Sequence, residues 1–300
     1  MGRKIIIGIC LVVLLMGLAG YFTGSFFTPK VGICYRDTAP AGEVTDDSLA
    51  GKLVLAGYTV IVEEAHCGGE TQLQQVRALL AEDADVILLE PVDDDTKAEI
   101  LQMAVETPVV IMGQEPEKLG NAYFVGNNKA APAAMQAQLL TAVFERADIN
   151  GDKTVDYMVL TEGESFYLQT LKESVSSRAD QLEAAVCQTG EEAKNLCLSA
   201  FTKYGRDLEL IFCSSDALAL GAVEAIRANG RVPGRDVLVM GAGATEEGLA
   251  AVRDGLLACT IGVDAQGIYN RLIQTVQKLV KNTPLGQKNY VNHILYLPET

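Results

Sequence analysis

The chain has 300 residues, of which 49% are hydrophobic and 21% charged, and its net charge is −15 with a pI near 4.6. A chain of this length exceeds what one core usually supports, so it predicts two lobes of roughly 130 residues each. The negative charge would repel phosphate backbones, which excludes nucleic acid as a partner and favours neutral or cationic small molecules.

An apolar segment opens the chain. Arg3 and Lys4 precede an uncharged stretch over residues 5–28, a pattern typical of an address to an extracytoplasmic compartment. The small residue Ala19 could mark a signal-peptidase cleavage site, or the apolar helix could remain uncleaved as a membrane anchor. We therefore assign residues 1–29 to a signal peptide or membrane anchor. Cys10 lies too early for a lipoprotein acylation site.

Short apolar runs then alternate with amphipathic segments. The predicted strands lie at residues 31–35, 59–63, 86–90 and 109–112, and the helical patterns between them lie at residues 46–56, 71–81 and 96–105. Strands separated by helices of this length predict a parallel sheet that is covered on both faces.

A second series of the same kind follows a strand at residues 122–125. Its strands are predicted at residues 157–160, 182–187, 210–214, 237–241 and 259–263, followed by a helix at 265–280 and a strand at 293–297. Two similar α/β lobes suggest a cleft between them, and ligands of open parallel sheets bind beyond the carboxyl ends of the strands.

Six cysteines follow the apolar segment. Several lie inside strand patterns, where a cysteine is more often a small buried hydrophobe than half of a disulfide. The pairs Cys34 with Cys67 and Cys187 with Cys197 are the candidate disulfides, although sequence spacing does not determine connectivity.

An acidic loop carries oxygen atoms at every second position: Asp148, Asn150, Asp152, Thr154 and Asp156. Side-chain oxygens at positions one, three, five and nine, with a backbone carbonyl at seven, suit Ca²⁺. The twelfth residue is Val159 instead of the glutamate of an EF-hand, so a further carboxylate must come from elsewhere. Lys153 stands where a sharp turn usually needs glycine. The alternative is an acidic surface turn.

Several stretches together resemble the galactose- and glucose-binding periplasmic proteins, within the wider group that contains ribose-binding proteins. The similarity runs from about residue 31 to 297, and its strongest stretches are TPVVIMGQEP (107–116), AYFVG (122–126), DINGDKTVDYMVL (148–160), LELIFCSSDALALGAVEAI (208–226) and GLLACTIGVDAQG (255–267).

The resemblance implies an α/β fold of the periplasmic-binding-protein type 1, with two Rossmann-like lobes, parallel sheets covered by helices and three hinge crossovers. The N-terminal lobe would comprise residues 30–126 and 266–293, and the C-terminal lobe residues 127–265 and 294–300. The resemblance also places the missing carboxylate of a structural calcium site on Glu209.

The hexose site of that family is changed at several positions. Phe166, Leu168 and Lys172 stand where a His, an Asp and an Arg are expected, and Ser215 replaces an asparagine. The strand-end aspartate and a cleft asparagine are replaced by Gly243 and Val263, and the chain has no tryptophan. Tight glucose or galactose binding is therefore not expected, because each unsatisfied buried polar group costs about 1–3 kcal/mol.

Polar or aromatic residues at the predicted strand ends remain as candidate ligand contacts: Arg36, Asp37, Glu90, Gln114, Phe166, Tyr167, Ser215 and Asp264. Each could instead be a solvated loop residue or a helix cap, and for Ser215 the cap is the favoured alternative.

The resulting hypothesis is a non-enzymatic, extracytoplasmic solute-binding protein that closes on a small, sugar-like ligand and presents it to a membrane permease of the ABC type. The alternative is a membrane-tethered sensor ectodomain of the same fold. An enzyme is disfavoured because the chain has only His66 and His293 and shows no Ser-His-Asp, phosphate-loop or Cys-His zinc pattern.

Overall fold

A computed structural model of the chain describes residues 28–38, 45–113, 115–163 and 165–299, with Ser165 described by its backbone alone. The chain divides into two compact units, residues 1–126 with 269–289 and residues 127–268 with 290–300. The predicted N-terminal segment, residues 1–29, lies outside the described residues except for Thr28 and Pro29. Within the described ranges no helix is both long and apolar enough to cross a membrane.

The first unit is built on a six-stranded sheet with the order β11-β5-β4-β3-β1-β2. Its strands are β1 (Lys30–Tyr35), β2 (Thr59–Glu64), β3 (Val86–Leu89), β4 (Val109–Gly113), β5 (Tyr123–Asn127) and β11 (Lys288–Val291). The pairs β1–β2, β1–β3, β3–β4 and β4–β5 are parallel. The intervening helices are α1 (Leu49–Leu55), α2 (Gly69–Ala81) and α3 (Asp94–Met103).

The second unit contains a four-stranded sheet, β7-β6-β8-β9, and an antiparallel pair, β10-β12. The strands are β6 (Val155–Thr161), β7 (Ala179–Val186), β8 (Leu210–Cys213), β9 (Leu238–Met240), β10 (Thr260–Val263) and β12 (His293–Tyr296). Its helices are α4 (Ala131–Ala142), α5 (Phe144–Ala147), α6 (Ser165–Ser174), α7 (Gly190–Tyr204), α8 (Asp216–Ala228) and α9 (Glu246–Arg253). The last helix, α10 (Ala265–Val280), begins in this unit and continues into the first.

The central strands are buried on both faces, as the continuous apolar runs predict. β3 and β8 are buried throughout. In the second unit the α7 and α8 helices approach so closely that a Cβ on Gly221 would lie 2.0 Å from the carbonyl oxygen of Gly190. Glycine at residue 221 therefore permits the helix contact that closes this core.

Three findings differ from the sequence-based expectations. Strand β11 was not predicted, and the unit boundaries fall at residues 268/269 and 289/290 instead of 265/266 and 293/294. The second crossing lies inside the continuous helix α10 and the third inside β11, so no break in the sequence pattern marks either. The candidate disulfides are not formed, because all six cysteines of the described ranges are free and only Cys67 among them is exposed.

Candidate functional site

A cavity of ≈ 350 Å³ lies at the carboxyl ends of β1, β3 and β4 in the first unit. Parallel sheets place their strand ends at one edge, which is where ligands of such folds bind. The lining is polar and contains Arg36, Glu90, Asp93, Asp94, Glu115 and Glu117, together with Met112, Gly113 and two prolines. Two of the predicted ligand contacts, Arg36 and Glu90, therefore share one cavity.

Arg36 follows β1 and Glu90 follows β3. Their side chains form a long ion pair, with 3.9 Å between the Arg36 Nη2 and the Glu90 Oε1 atoms, and they remain 50% and 32% exposed. At this distance the Arg36 guanidinium keeps N–H donors, and the Glu90 carboxylate keeps acceptor lone pairs, for a ligand. Asp37 does not line the cavity and instead lies 4.0 Å from the Nδ1 atom of His66. Gln114 lies outside the described residues.

The loop after β3 is held by Gln72, a fully buried residue on α2. Its Nε2 group donates to the carbonyl of Glu90 at 2.9 Å, and its Oε1 atom accepts the backbone N–H of Val92 at 3.0 Å. Sequence reasoning did not identify this residue, because a glutamine on a helix is ordinarily read as solvated. Its place on the buried stripe of α2, beside Leu73 and Val76, is the available signal.

The side chains that line the cavity carry a net negative charge. Burial, with the nearby Tyr269, Glu90 and Glu64, raises the pKa of the Tyr35 hydroxyl to about 12, so this hydroxyl stays neutral even at alkaline pH. Glu115 is balanced by Lys288, whose Nζ atom donates to its Oε1 atom at 2.7 Å. The arrangement suits ligands that donate hydrogen bonds to carboxylates.

In the second unit Ser215 follows β8 and caps α8. Its hydroxyl oxygen accepts the backbone N–H of Leu218, the bond expected of an N-cap serine. Asp216 is 1% exposed and accepts hydrogen bonds from the Thr245 backbone N–H at 2.8 Å and the Thr260 hydroxyl at 2.6 Å. Asp216 thus ties three segments of the unit together.

Phe166 and Tyr167 begin the α6 helix and differ in environment. Phe166 is half-buried, and the Lys129 ammonium group lies 4.7 Å from the centre of its ring. Tyr167 is buried and its hydroxyl donates to the Oε1 atom of Gln136, so it belongs to the core instead of a ligand surface. Gln136 in turn donates to the carbonyls of Cys213 and Gly241 at 3.1 and 3.0 Å.

Asp264 follows β10 directly. Its Oδ1 atom accepts the backbone N–H of Gly267 at 2.8 Å, so this oxygen caps the first turn of α10. The other carboxylate oxygen has no hydrogen bond within the described part of the chain. The neighbouring Val263 is 49% exposed, where the resemblance expects a polar cleft residue.

The acidic loop is shaped by its own side chains. Asp148 accepts the backbone N–H groups of Gly151 at 2.9 Å and Lys153 at 3.0 Å, and Asn150 and Asp152 each accept the N–H two residues ahead. Lys153 and Gly151 have φ angles of 75° and 78°, so the lysine adopts the left-handed conformation that glycine usually takes at this position.

Glu209 lies against this loop. Its side chain is nearly fully buried, and its Oε1 and Oε2 atoms accept the backbone N–H groups of Asn150 at 2.8 Å and Asp156 at 3.2 Å. Burial raises the pKa of Glu209, while these N–H groups oppose the rise. Burial and the charges of Asp152, Asp180 and Asp207 raise the pKa of Asp156.

The residues of the loop have the right chemistry for Ca²⁺, which prefers carboxylate and carbonyl oxygens. Their carboxylates do not converge in this arrangement: across the described ranges, no three His, Cys, Asp or Glu side chains form a group able to hold a metal ion. Each carboxylate oxygen that accepts one N–H retains a second lone pair. Calcium at this loop stays a prediction.

Parallel sheets in two similar units, with a polar cavity at the strand ends of the first, define a binding protein of the type 1 periplasmic fold. The chain belongs to the periplasmic binding protein domain family, whose model matches residues 53–284.

Its relatives are named as binding proteins. The chain is 24% identical over 249 residues to a putative rhizopine-binding protein of Rhizobium meliloti, covering 79% of each chain. It is 23% identical to the ribose import binding protein of Escherichia coli, over 77% of this chain and 78% of the relative. A D-galactose/methyl-galactoside binding periplasmic protein of Haemophilus influenzae is 24% identical, over 76% of this chain and 74% of the relative.

Solved structures establish the fold. A periplasmic ribose ABC transporter structure from Conexibacter woesei superposes with a TM-score of 0.73 at 22% identity, covering 89% of this chain and 91% of the other. A solute binding protein of Bacillus halodurans with bound myo-inositol superposes with a TM-score of 0.64 at 19% identity, covering 92% and 96% of the two chains.

Proposed function

We propose that this chain is a non-enzymatic, extracytoplasmic solute-binding protein that closes on a small polar ligand, a carbohydrate or carbohydrate derivative, and delivers it to an ABC-type permease. The observation that carries the proposal is the polar cavity at the strand ends of the first unit, where Arg36 and Glu90 meet. Membership of the periplasmic binding protein domain family and the names of the relatives support it.

Carboxylates and a guanidinium are the groups that hold polyol ligands. Glu90 accepts hydrogen bonds from hydroxyl groups and Arg36 donates to ring or hydroxyl oxygens, so a polyol satisfies both when it replaces water between them. The carboxylates of the lining also favour hydroxyl and amine donors over anionic solutes.

Thermal unfolding of the full chain with a panel of pentoses, hexoses, polyols and their amino and acid derivatives tests this proposal, because a ligand of the native state raises the melting temperature. Glu90→Gln should weaken binding of the best ligand by about tenfold, the loss expected of a charged hydrogen bond. Glu99→Gln removes the same charge from an exposed position on α3 and should leave affinity unchanged. A panel without any stabilising solute, or equal affinities for the two variants, contradicts the proposed site.

We also propose that the acidic loop binds a structural Ca²⁺. The ligands would be Asp148, Asn150, Asp152, the carbonyl of Thr154, Asp156 and Glu209. The buried Glu209 carboxylate beside the loop supports this proposal, because Ca²⁺ would neutralise the carboxylates that crowd Asp156.

Titration of the chelator-treated protein with CaCl₂ should raise its melting temperature, with MgCl₂ giving a smaller rise. Asp152→Ala should abolish the rise. Asp254→Ala is the matched control, since Asp254 is an exposed aspartate at the end of α9 in the same unit. No response to calcium in the parent protein, or an unaltered response in Asp152→Ala, rules the site out.

The alternative of a membrane-tethered sensor ectodomain depends on the apolar segment at residues 5–28, which lies outside the described residues except for Thr28. Mass spectrometry of the mature N-terminus separates a chain cleaved after Ala19 from a tethered one.

A further inference from the structure

A second cavity, of ≈ 630 Å³, lies in the second unit beside the acidic loop. Its lining contains three arginines and one acidic residue: Arg206, Arg231, Arg235 and Asp236, together with Ile149, Asn150 and Gly230. The formal charge of these side chains is therefore positive, although the chain as a whole carries −15. We refer to this cavity as the arginine pocket.

The three arginines differ in their hydrogen-bond partners and in their exposure to solvent. Arg231 is half-buried, donates to the carbonyls of Gly205 and Leu208, and lies 5.0 Å from the Phe201 ring centre. Gly205 caps the C-terminal end of α7 and Leu208 lies beyond it, so these bonds hold the guanidinium of Arg231 in place. A rigid cation is thereby fixed in the wall of the pocket.

Arg235 is paired with Asp236, its neighbour in sequence. The Arg235 Nε and Nη2 atoms donate to the two carboxylate oxygens at 2.9 and 3.1 Å, and Asp236 also accepts the N–H of Val232 at 2.8 Å. The charges of Arg235 and Asp236 therefore offset each other. The Arg235 side chain is 72% exposed, so its remaining N–H groups are accessible to a ligand.

Arg206 has no such partner. It is exposed, and in the described portion of the chain its side chain makes neither a hydrogen bond nor an ion pair. Burial and, after it, the charge of Arg206 lower the pKa of Arg231, whereas the nearby Asp236 carboxylate opposes this shift. The charge of Arg206 also lowers the pKa of Asp236, which is the one carboxylate of the pocket lining. Three guanidinium groups against a single carboxylate leave the lining with a net positive charge, which an anion would offset.

The carboxylate oxygens of the acidic loop accept hydrogen bonds from the backbone of the loop itself. Asp148 and Asp152 turn their oxygens onto N–H groups of the loop itself, and Glu209 accepts from Asn150 and Asp156. The Asn150 Oδ1 atom is likewise used within the loop, by the N–H of Asp152, so its amide group is oriented with the Nδ2 donor available.

We propose that the arginine pocket binds the phosphate group of a phosphorylated small molecule, with Arg206 and Arg235 as its direct ligands and Arg231 supplying positive field. Guanidinium groups form paired, charge-assisted hydrogen bonds with the oxygens of phosphate and carboxylate groups, which a halide does not offer. A phosphate group adds a charge near −2 and a third acceptor oxygen, so it suits two separate guanidinium groups better than one carboxylate does. The cavity volume exceeds what inorganic phosphate fills, so the organic part of the ligand would occupy the rest.

Isothermal titration of the full chain with pyrophosphate and with glycerol 3-phosphate, in buffer free of divalent cations, tests the proposal. Arg206→Gln should weaken binding by at least about tenfold, and Arg206→Lys by less, because lysine keeps the charge and loses the planar fork. Arg253→Gln is the matched control: an exposed arginine of the same unit on α9, outside the pocket, whose loss should leave affinity within about twofold.

A parallel cosedimentation with phosphatidylglycerol and phosphatidylcholine vesicles identifies the source of the phosphate. Binding of the soluble phosphates assigns a metabolite. Binding of phosphatidylglycerol vesicles alone, with the same sensitivity to Arg206→Gln, assigns a lipid headgroup. Absence of both, or equal losses in Arg206→Gln and Arg253→Gln, overturns the proposal, and neither result bears on the solute site of the first unit.

Discussion

Two buried glutamines, Gln72 in the first unit and Gln136 in the second, act on strand ends in the same way. Each is fully buried, and each bonds to backbone groups where a central strand ends: Gln72 to Glu90 and Val92, and Gln136 to Cys213 and Gly241. An amide buried without partners would cost about 1–3 kcal/mol. These glutamines therefore join the strand ends that precede Val92 and Ser215 to the helices α2 and α4.

Asp93 is a residue whose ionisation is expected to make the stability of the fold depend on pH. It caps α3, its Oδ1 atom accepts the N–H of Thr96 at 2.7 Å, and this hydrogen bond lowers the pKa of the carboxyl. A lowered folded-state pKa means that the ionised cap stabilises the fold above the unfolded-state pKa, near 3.9, and that this contribution is lost as the pH falls through the folded-state value.

Asp93→Ala should therefore reduce the free energy of unfolding by about 0.5–2 kcal/mol at neutral pH, with a smaller difference below about pH 4. Asp93→Asn keeps a neutral cap and should lose less at neutral pH. Denaturant titrations at several pH values measure both. A constant difference between Asp93→Ala and the parent protein across that range would show that the charge of Asp93 contributes nothing.

At the level of elements, strands buried on both faces were predicted best. The runs at residues 86–90 and 210–214 correspond to β3 and β8 because central parallel strands are apolar on both sides. Strand β11 reads KNYV and has only Val291 buried, so neither an apolar run nor an alternation marks it. It forms because β5 offers it an edge, which is information that the local sequence does not contain.

The local sequence also predicted the candidate site only in part. Strand ends were predictable, and the polar residues Arg36 and Glu90 that follow them do share a cavity. Asp37 and Tyr167 also stand at strand ends or helix starts, yet one pairs with His66 and the other packs in the core. The side chains of neighbouring residues point in different directions, and tertiary packing sets the direction of each.

For the whole molecule, the net charge of −15 has a consequence for stability. Repulsion among like charges opposes the compact state, and salt shortens its range from about 30 Å at 0.01 M to about 8 Å at 0.15 M. Raising NaCl between these concentrations should increase the melting temperature by about 2–4 °C, equivalent to roughly 1 kcal/mol.

Differential scanning calorimetry with a chelator present measures this effect without calcium. Tetramethylammonium chloride is the control, because screening depends on ionic strength and not on the identity of the cation. A flat melting temperature with both salts would mean that the acidic groups are already balanced locally. A rise with sodium alone would indicate a specific cation site instead of screening.

The sequence by itself determined the alternation of strands and helices, the parallel sheets, the duplicated units and the spacing of oxygen atoms in the acidic loop, because each depends on local periodicity or on residues close along the chain. The family resemblance also placed Glu209 at that loop, and the structure gives the hydrogen bonds through which the two meet. Only the tertiary structure decided that Gln72 and Gln136 are buried, that the cysteines stay apart, and that Arg206, Arg231 and Arg235 share one pocket. Those contacts join segments distant in sequence, and the side-chain directions that create them are set by packing.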